Sequence, residues 1–189
     1  MKNIVIFASG NGSNALNIIR YFQHSKSVKV TAVFTNNSKA GVITHANENN
    51  IPVSVFTKHQ LSETNEIIDR LRELKTDVIV LAGFLLLIPQ ILVDNFPKRI
   101  INIHPSLLPK YGGKGMYGHH VHKAVIENNE KTSGISIHLI DGEFDKGELL
   151  ATHKITVDEG ETPESLALKI RALEHQFLPE EIEKFCNRL

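Results

Sequence analysis

The sequence is short of cysteine, of net charge and of long apolar runs, and each shortage excludes a class of protein. Cys186 is the single cysteine among 189 residues, so an internal disulfide is excluded. Lys and Arg together number 21, as do Asp and Glu, which leaves no field to concentrate nucleic acid or an anionic membrane. The apolar run near the N-terminus is too short for a signal peptide or a membrane span. We therefore expect a cytoplasmic protein with small-molecule partners, without nucleic-acid or membrane binding.

What is present is a regular alternation of short apolar runs with segments of helical period. This pattern is typical of an α/β protein, and it predicts one domain over residues 1–189. We expect a three-layer, Rossmann-like open sheet of about seven mostly parallel strands with helices on both faces. Strands are predicted at 3–9, 28–35, 53–56, 77–84, 99–104, 134–140 and 148–157, and helices at 14–23, 41–49, 62–75, 118–128 and from 162 onward. Ser62 is the predicted cap of the third helix, and Pro179 predicts a break in the last one.

Four polar or glycine-rich stretches follow predicted strands, at the sheet edge where open α/β sheets bind ligands. They are SGNGSN, AGF, NIHPSLLP and DGEFDKG. In the first stretch, Gly10 and Gly12 permit a tight turn before a helix. The backbone amides of Gly12, Ser13 and Asn14 can then face a phosphate group at the helix N-terminus. The alternative is a plain helix cap without a ligand.

The same stretch fits the loose dinucleotide-binding pattern G-x-G-x-x-A, which ends at Ala15. NAD binding also needs a carboxylate at the end of the second strand, where the sequence reads FTNNSKAG instead. NAD is therefore disfavoured. Ser38 and Lys39 leave an NADP-binding module open as an alternative.

Two polar side chains interrupt the apolar strand that ends in NIHP. Asn102 and His104 are two residues apart and share one face of the strand, and Pro105 then directs the chain out of the sheet. An amide and an imidazole side by side can donate hydrogen bonds to a carbonyl oxygen that becomes negative. The pair therefore predicts an oxyanion clamp.

A carboxylate near His104 would favour the charged form of its imidazole. The stretch DGEFDKG offers Asp141, Glu143 and Asp145 at the end of another predicted strand. The residues alone leave the choice among these three open.

The combination of NIHPSLLP with an Asp in a glycine-rich loop about forty residues later resembles the folate-dependent formyltransferases. SGNGSN, LAGF and EHQFLP fit the same order over essentially the whole chain. The resemblance implies the formyltransferase fold and transfer of a formyl group from 10-formyltetrahydrofolate to the amine of glycinamide ribonucleotide. It implies no tightly bound cofactor, and we expect no metal and a monomer or homodimer. Another amine, such as that of a nucleotide sugar, remains an alternative acceptor.

The resemblance also implies roles for individual residues. It makes Asn102, His104 and Asp145 catalytic, with Asp145 keeping the imidazole protonated. It assigns the nucleotide substrate to Gly12, Ser13, Asn14, Pro105 and Glu174, and the folate to Leu85, Leu86, Leu87, Ile88, Asn102, Ile140, Asp141 and Asp145. Leu85-Leu86 stand where many bacterial relatives carry Met-Arg, and Gln60 or a neighbour stands at a second basic position. The resemblance therefore does not extend to contacts with the folate glutamate tail.

Two further features stand between the NIHP strand and the next predicted strand. Residues 111–118 are rich in glycine and predict either a loop that closes over bound substrate or an ordinary surface loop. His119 and His122, with His120 between them, have a spacing that metal sites use. Because neither a cysteine nor a carboxylate completes a set nearby, we interpret them as a solvated helix start.

Overall fold

The computed structural model describes residues 1–143 and 145–189. The strands are β1 Lys2–Phe7, β2 Val28–Thr35, β3 Val53–Val55, β4 Val78–Leu81, β5 Ile100–His104, β6 Thr132–Leu139 and β7 Leu149–Thr156. The helices are α1 Ser13–Phe22, α2 Val42–Glu48, α3 Lys58–Ser62, α4 Glu66–Glu73, α5 Gln90–Asn95, α6 His119–Glu127 and α7 Pro163–Arg188. All seven strands join one sheet in the order β3-β2-β1-β4-β5-β6-β7.

The sheet is mostly parallel and buried on both faces. Strands β1 to β5 pair in parallel, whereas β6 and β7 add an antiparallel edge. Successive side chains of a strand point to opposite faces, so Ile4 and Ile6 of β1 join one apolar cluster while Val5 and Phe7 join another. Helices cover both clusters, which confirms the predicted three-layer α/β architecture. Among the helices in the described part of the chain, none is long and apolar enough to cross a membrane.

The helical segment before β4 is divided differently from the prediction. Thr57 caps α3 through a reciprocal pair of hydrogen bonds with Gln60, in which Thr57 Oγ1 accepts the Gln60 N–H at 3.2 Å. Ser62 is the last residue of α3, so its predicted role as the cap of the following helix is wrong. The next helix, α4, begins only at Glu66. Helix α5 was not predicted, because a helix of six residues is too short to show a helical period.

Helix α7 continues through Pro179, so the predicted break is wrong. A proline lacks the N–H that would bond to the carbonyl four residues earlier, which here belongs to His175. Asn17 of α1 satisfies this carbonyl, since its Nδ2 donates to it at 2.5 Å. The helix stays intact because a neighbouring side chain replaces the missing backbone donor.

This contact predicts a measurable coupling between α1 and α7. Asn17→Ala should lower the free energy of unfolding by about 1–2 kcal/mol, because it leaves the His175 carbonyl without its donor. Pro179→Ala should restore a backbone N–H to that carbonyl, so Asn17→Ala should cost less in that background. Urea unfolding of the four proteins of this double-mutant cycle measures the difference. Equal costs in both backgrounds would contradict the assigned role of Asn17.

Candidate active site

A cavity of about 620 Å³ lies where the sequence placed the ligand, beyond the carboxyl ends of β1, β4 and β5. The segments that follow these strands form part of its wall. The loop after β6, the start of α6 and the middle of α7 complete it. All three predicted catalytic residues, Asn102, His104 and Asp145, line this cavity.

These three side chains, which lie far apart in the sequence, form one cluster. His104 Nδ1 lies 3.5 Å from Asp145 Oδ2, and Asn102 Nδ2 lies 3.5 Å from Asp145 Oδ1. Of the three carboxylates that the sequence left open, Asp145 is therefore the one that pairs with the imidazole. Glu143 instead pairs with Lys146.

Asp145 is held in place by its own backbone and by the glycine-rich segment. Its φ of 54° lies in the left-handed region, which Asp and Asn adopt more readily than most residues. Its Oδ2 accepts the Gly113 N–H at 2.9 Å. Burial raises the pKa of Asp145, but the nearby imidazoles of His138 and His104 and the hydrogen bond from the Gly113 N–H outweigh this effect, and the pKa falls below its ordinary value. The carboxyl group is therefore ionised at neutral pH.

His138 belongs to the cluster although the sequence interpretation missed it. It pairs with Asn102 across β5 and β6 and is fully buried. Its Nε2 lies 3.0 Å from Asn102 Nδ2, and its Nδ1 lies 3.0 Å from the Leu139 carbonyl. This geometry places the proton on Nδ1, so that Nε2 accepts a hydrogen bond from Asn102. The sequence feature that could have indicated His138 is an imidazole within a largely apolar strand.

His104 is buried, with 4% of its surface exposed, and its Nε2 lies 2.7 Å from the Tyr111 carbonyl. Burial lowers the pKa of His104, whereas Asp145 and the Tyr111 carbonyl raise it, and the net pKa falls below the ordinary value. The expectation that Asp145 keeps this imidazole protonated is therefore wrong in this structure. Asp145 limits the lowering of the pKa but does not reverse it.

The residues assigned to the nucleotide lie on the side of the cavity where α1 begins. Ser13, Asn14, Pro105 and Glu174 line it, and Asn14 Nδ2 donates to Glu174 Oε2 at 2.9 Å. Burial raises the pKa of Glu174, against the opposing effects of Asn14 and Arg171.

Gly12 lies outside the cavity lining. Its φ is 80°, and a Cβ atom there would lie 2.6 Å from Val42 Cβ. The glycine therefore permits the close packing of α1 against α2 and the turn that precedes the helix.

Polar side chains at the ends of β1 and β2 bond to each other. Ser9 Oγ donates to Asn36 Oδ1 at 2.6 Å and accepts the Leu85 N–H at 3.0 Å. This network connects the ends of β1 and β2 with the loop after β4. Ser38 and Lys39, which left the NADP alternative open, do not line the described cavity.

Most of the residues assigned to folate form an apolar part of the cavity wall. Leu85, Leu86, Leu87, Ile88 and Ile140 line the cavity. Leu85 and Leu87 are 60% and 49% exposed, so this wall offers apolar surface to a planar ligand.

Two residues considered for folate lie elsewhere. Asp141 is outside the lining, and its Oδ1 accepts the Glu143 N–H at 3.2 Å. Glu143 lines the cavity instead. Gln60 is occupied in the cap of α3 and is also outside the lining.

Part of the glycine-rich segment 111–118 and the start of α6 also line the cavity. The segment contacts the cluster directly, through the Tyr111 carbonyl on His104 and the Gly113 N–H on Asp145. Closure of this segment over a substrate remains a prediction. His119 and His122 line the cavity as well.

His122 is buried rather than part of a solvated helix start, so that interpretation is wrong for this residue. Burial, together with His119, Arg171 and His104, lowers the pKa of His122 to about 4, so it is neutral at pH 7. Within residues 1–143 and 145–189, no group of three His, Cys, Asp or Glu residues is arranged to hold a metal ion.

The open Rossmann-like sheet brings an amide, an imidazole and a carboxylate together beside an apolar wall. This arrangement is typical of an enzyme that transfers a group between a polar and an apolar substrate. The sequence profile described as formyl transferase matches residues 2–182, and the chain belongs to this family.

Named relatives agree with this assignment. A chloroplastic phosphoribosylglycinamide formyltransferase of Arabidopsis thaliana is 41% identical over 98% of this chain and 66% of its own length. The phosphoribosylglycinamide formyltransferase of Escherichia coli K12 is 33% identical over 98% of this chain and 87% of its own length. The chain spans 66% and 61% of the two plant relatives, which are both named chloroplastic, and a cytoplasmic location remains a prediction.

Solved structures show the same fold. Glycinamide ribonucleotide transformylase 1 from Symbiobacterium toebii superposes with a TM-score of 0.90 at 26% identity, over 99% of this chain and 88% of that chain. Phosphoribosylglycinamide formyltransferase from Bacillus halodurans gives a TM-score of 0.86 at 32% identity, over 97% and 95% of the two chains.

Proposed function

We propose that the protein transfers the formyl group of 10-formyltetrahydrofolate to the amine of glycinamide ribonucleotide, which yields N-formylglycinamide ribonucleotide and tetrahydrofolate in purine biosynthesis. The observation that carries the proposal is the position of Asn102, His104 and Asp145. They line one cavity together with the start of α1, which suits a phosphate, and an apolar wall, which suits a pterin. The names of the relatives support the same reaction.

The two substrates bind from opposite sides of the cluster in this proposal. The nucleotide phosphate lies at the N-terminus of α1 near Ser13 and Asn14, with its amine directed toward His104. The folate ring packs against Leu86 and Ile88 and directs its formyl group to the same point. Both substrates are diffusible, so no tightly bound cofactor is required.

The reaction begins when the amine nitrogen attacks the formyl carbon. A carbon–nitrogen bond forms, and the carbonyl electron pair moves onto oxygen. Asn102 Nδ2 and an N–H of His104 donate to this oxyanion. In the structure Asn102 Nδ2 already faces Asp145 and His138, and His104 Nε2 faces the Tyr111 carbonyl. Both donors are therefore held in position, and they need to move little when the oxyanion takes the place of these acceptors.

Proton transfer completes the exchange. The attacking nitrogen becomes positive, and it loses a proton to Nδ1 of the neutral His104, whose lowered pKa leaves this nitrogen free to accept one while Nε2–H donates to the oxyanion. Asp145 stabilises the imidazolium that forms. The proton then passes to the folate N10, the bond from the formyl carbon to N10 breaks, and the carbonyl is restored.

A paired activity and binding experiment tests this function. Purified protein with both proposed substrates should release tetrahydrofolate, whereas a nucleotide sugar amine in place of glycinamide ribonucleotide should not support turnover. In thermal unfolding, glycinamide ribonucleotide and a folate analogue should each raise Tm, because each binds only the folded protein. NADPH should leave Tm unchanged. Turnover with the sugar amine alone, or stabilisation by NADPH alone, would favour the corresponding alternative.

A further inference from the structure

The imidazole of His104 lies between two hydrogen-bond acceptors that compete for one proton. Its Nε2 lies 2.7 Å from the Tyr111 carbonyl, and its Nδ1 lies 3.5 Å from Asp145 Oδ2. The carbonyl and the ionised carboxylate can only accept, whereas a neutral imidazole carries a single N–H. The shorter contact places this proton on Nε2, so Nδ1 faces Asp145 with its lone pair. The proposed reaction needs this tautomer, since Nε2–H donates to the oxyanion and Nδ1 takes the proton.

The opposite tautomer would be favoured if the Tyr111 carbonyl moved away. Asp145 is ionised at neutral pH, because its pKa lies below the ordinary value, and a carboxylate attracts an N–H but repels a lone pair. A proton on Nδ1 would occupy the base and would leave Nε2 without an N–H for the oxyanion. The position of one backbone carbonyl therefore decides which nitrogen of His104 can act as the base.

Tyr111 holds this carbonyl in a backbone conformation that is uncommon for an aromatic residue. Its φ is 56°, in the left-handed region, where a bulky side chain needs support from its surroundings. The ring packs against the apolar cluster of which Val125 is a member, and the hydroxyl group donates to Glu130 Oε1 at 3.0 Å. Neither Tyr111 nor Glu130 lines the active-site cavity. The support for the carbonyl therefore comes from outside the site.

Glu130 holds this part of the chain at two points. Its Oε1 accepts from Lys110 Nζ at 2.7 Å as well as from the Tyr111 hydroxyl group. Lys110 and Tyr111 lower the pKa of Glu130, so its carboxyl group is ionised at neutral pH. Glu130 follows α6, and its backbone N–H donates to the Val125 carbonyl of that helix at 3.2 Å. One carboxylate thus ties two consecutive residues to the end of α6.

We propose that Glu130 is a positioning residue for His104. Through the Tyr111 hydroxyl group it fixes the Tyr111 carbonyl, and this carbonyl keeps the imidazole proton on Nε2. The kinetic consequence rests on the proposed function, whereas the tautomer of His104 does not depend on the identity of the substrates. Glu130 lies between α6 and β6, outside every segment that the sequence interpretation assigned to the site.

Tyr111→Phe is the sharpest test, because it removes one hydroxyl group and keeps the ring and the carbonyl. We expect kcat to fall by about tenfold, with KM for both substrates within about twofold of the wild type, because the base changes and the cavity lining does not. Glu130→Ala should have the same effect, and Glu130→Gln, which keeps an acceptor for the hydroxyl group, should recover part of the loss. Because both residues act through one contact, Tyr111→Phe should cost little more in the Glu130→Ala background. The matched control is Glu127→Ala, which removes an exposed carboxylate that pairs with Lys123 on α6.

A second readout does not depend on turnover. NMR of isotope-labelled imidazole nitrogens distinguishes a protonated from an unprotonated ring nitrogen, and the spectrum of His104→Gln identifies the signals of His104. At neutral pH the proton should lie on Nε2 in the wild type and in Glu127→Ala, and should shift toward Nδ1 in Tyr111→Phe and Glu130→Ala. An unchanged tautomer in both variants, or a lower Tm with unchanged kcat, would overturn the positioning role. If the wild type fails to formylate glycinamide ribonucleotide, the proposed function fails, and the NMR comparison alone decides the role of Glu130.

Discussion

Asp145→Asn is expected to lower kcat by about 100-fold or more while the protein stays folded. The amide keeps the shape of the carboxyl group and can still accept the Gly113 N–H. It carries no charge, so it cannot stabilise the imidazolium of His104 that forms during proton transfer. Its NH₂ group can also donate to His104 Nδ1, and this hydrogen bond occupies the nitrogen that should accept the proton. Steady-state kinetics and Tm, measured together, check both parts of the prediction.

Asparagine is the informative substitution at this position for a conformational reason. The φ of 54° at residue 145 is tolerated by Asn but strained for Ala, so Asp145→Ala would mix a chemical loss with a backbone effect. Asp69→Asn is the matched control, because Asp69 is exposed on α4 and lies outside the cavity. Turnover of Asp145→Asn close to that of the control would remove the proposed role of Asp145.

Much of the fold could be predicted because local sequence patterns indicate its strands and helices. An apolar run such as VIVL in β4 directly predicts a buried strand. Six of the seven helices lie at or near predicted segments, and two of these six, α3 and α4, stand where one helix was predicted. The failures are tertiary in origin. The break at Pro179 is absent because Asn17, more than 150 residues earlier, supplies the missing donor. No local pattern contains that contact.

The candidate site divides in the same way. Asn102 and His104 could be predicted from the local sequence, because polar side chains on one face of an apolar strand indicate a role other than packing. The choice of Asp145 over Asp141 came from the resemblance alone, and a strand-end argument could not supply it. His138 was missed because its importance arises from the antiparallel pairing of β6 with β5, which places it opposite Asn102. The protonation state of His104 was predicted wrongly because burial, which the sequence does not report, outweighs the nearby carboxylate.

His104 has two proposed roles, as a hydrogen-bond donor to the oxyanion and as the base. Two substitutions are needed to separate these roles. Alanine removes both functions. Glutamine keeps an N–H donor near the position of Nε2 but does not titrate. His120→Ala serves as the control, because His120 is exposed at the start of α6 and is outside the cavity lining.

His104→Ala is expected to lower kcat by about 100-fold or more, since an oxyanion donor and the proton acceptor are lost together. In the wild type, kcat/KM should fall on acidification below pH 6.5, because protonation removes the base and burial places the pKa of His104 under that value. His104→Gln should recover part of the loss through its N–H donor, but its profile should lack this acidic fall. An unchanged acidic fall in His104→Gln would show that another group is the base, and turnover of His104→Ala equal to that of His120→Ala would exclude His104 from the chemistry.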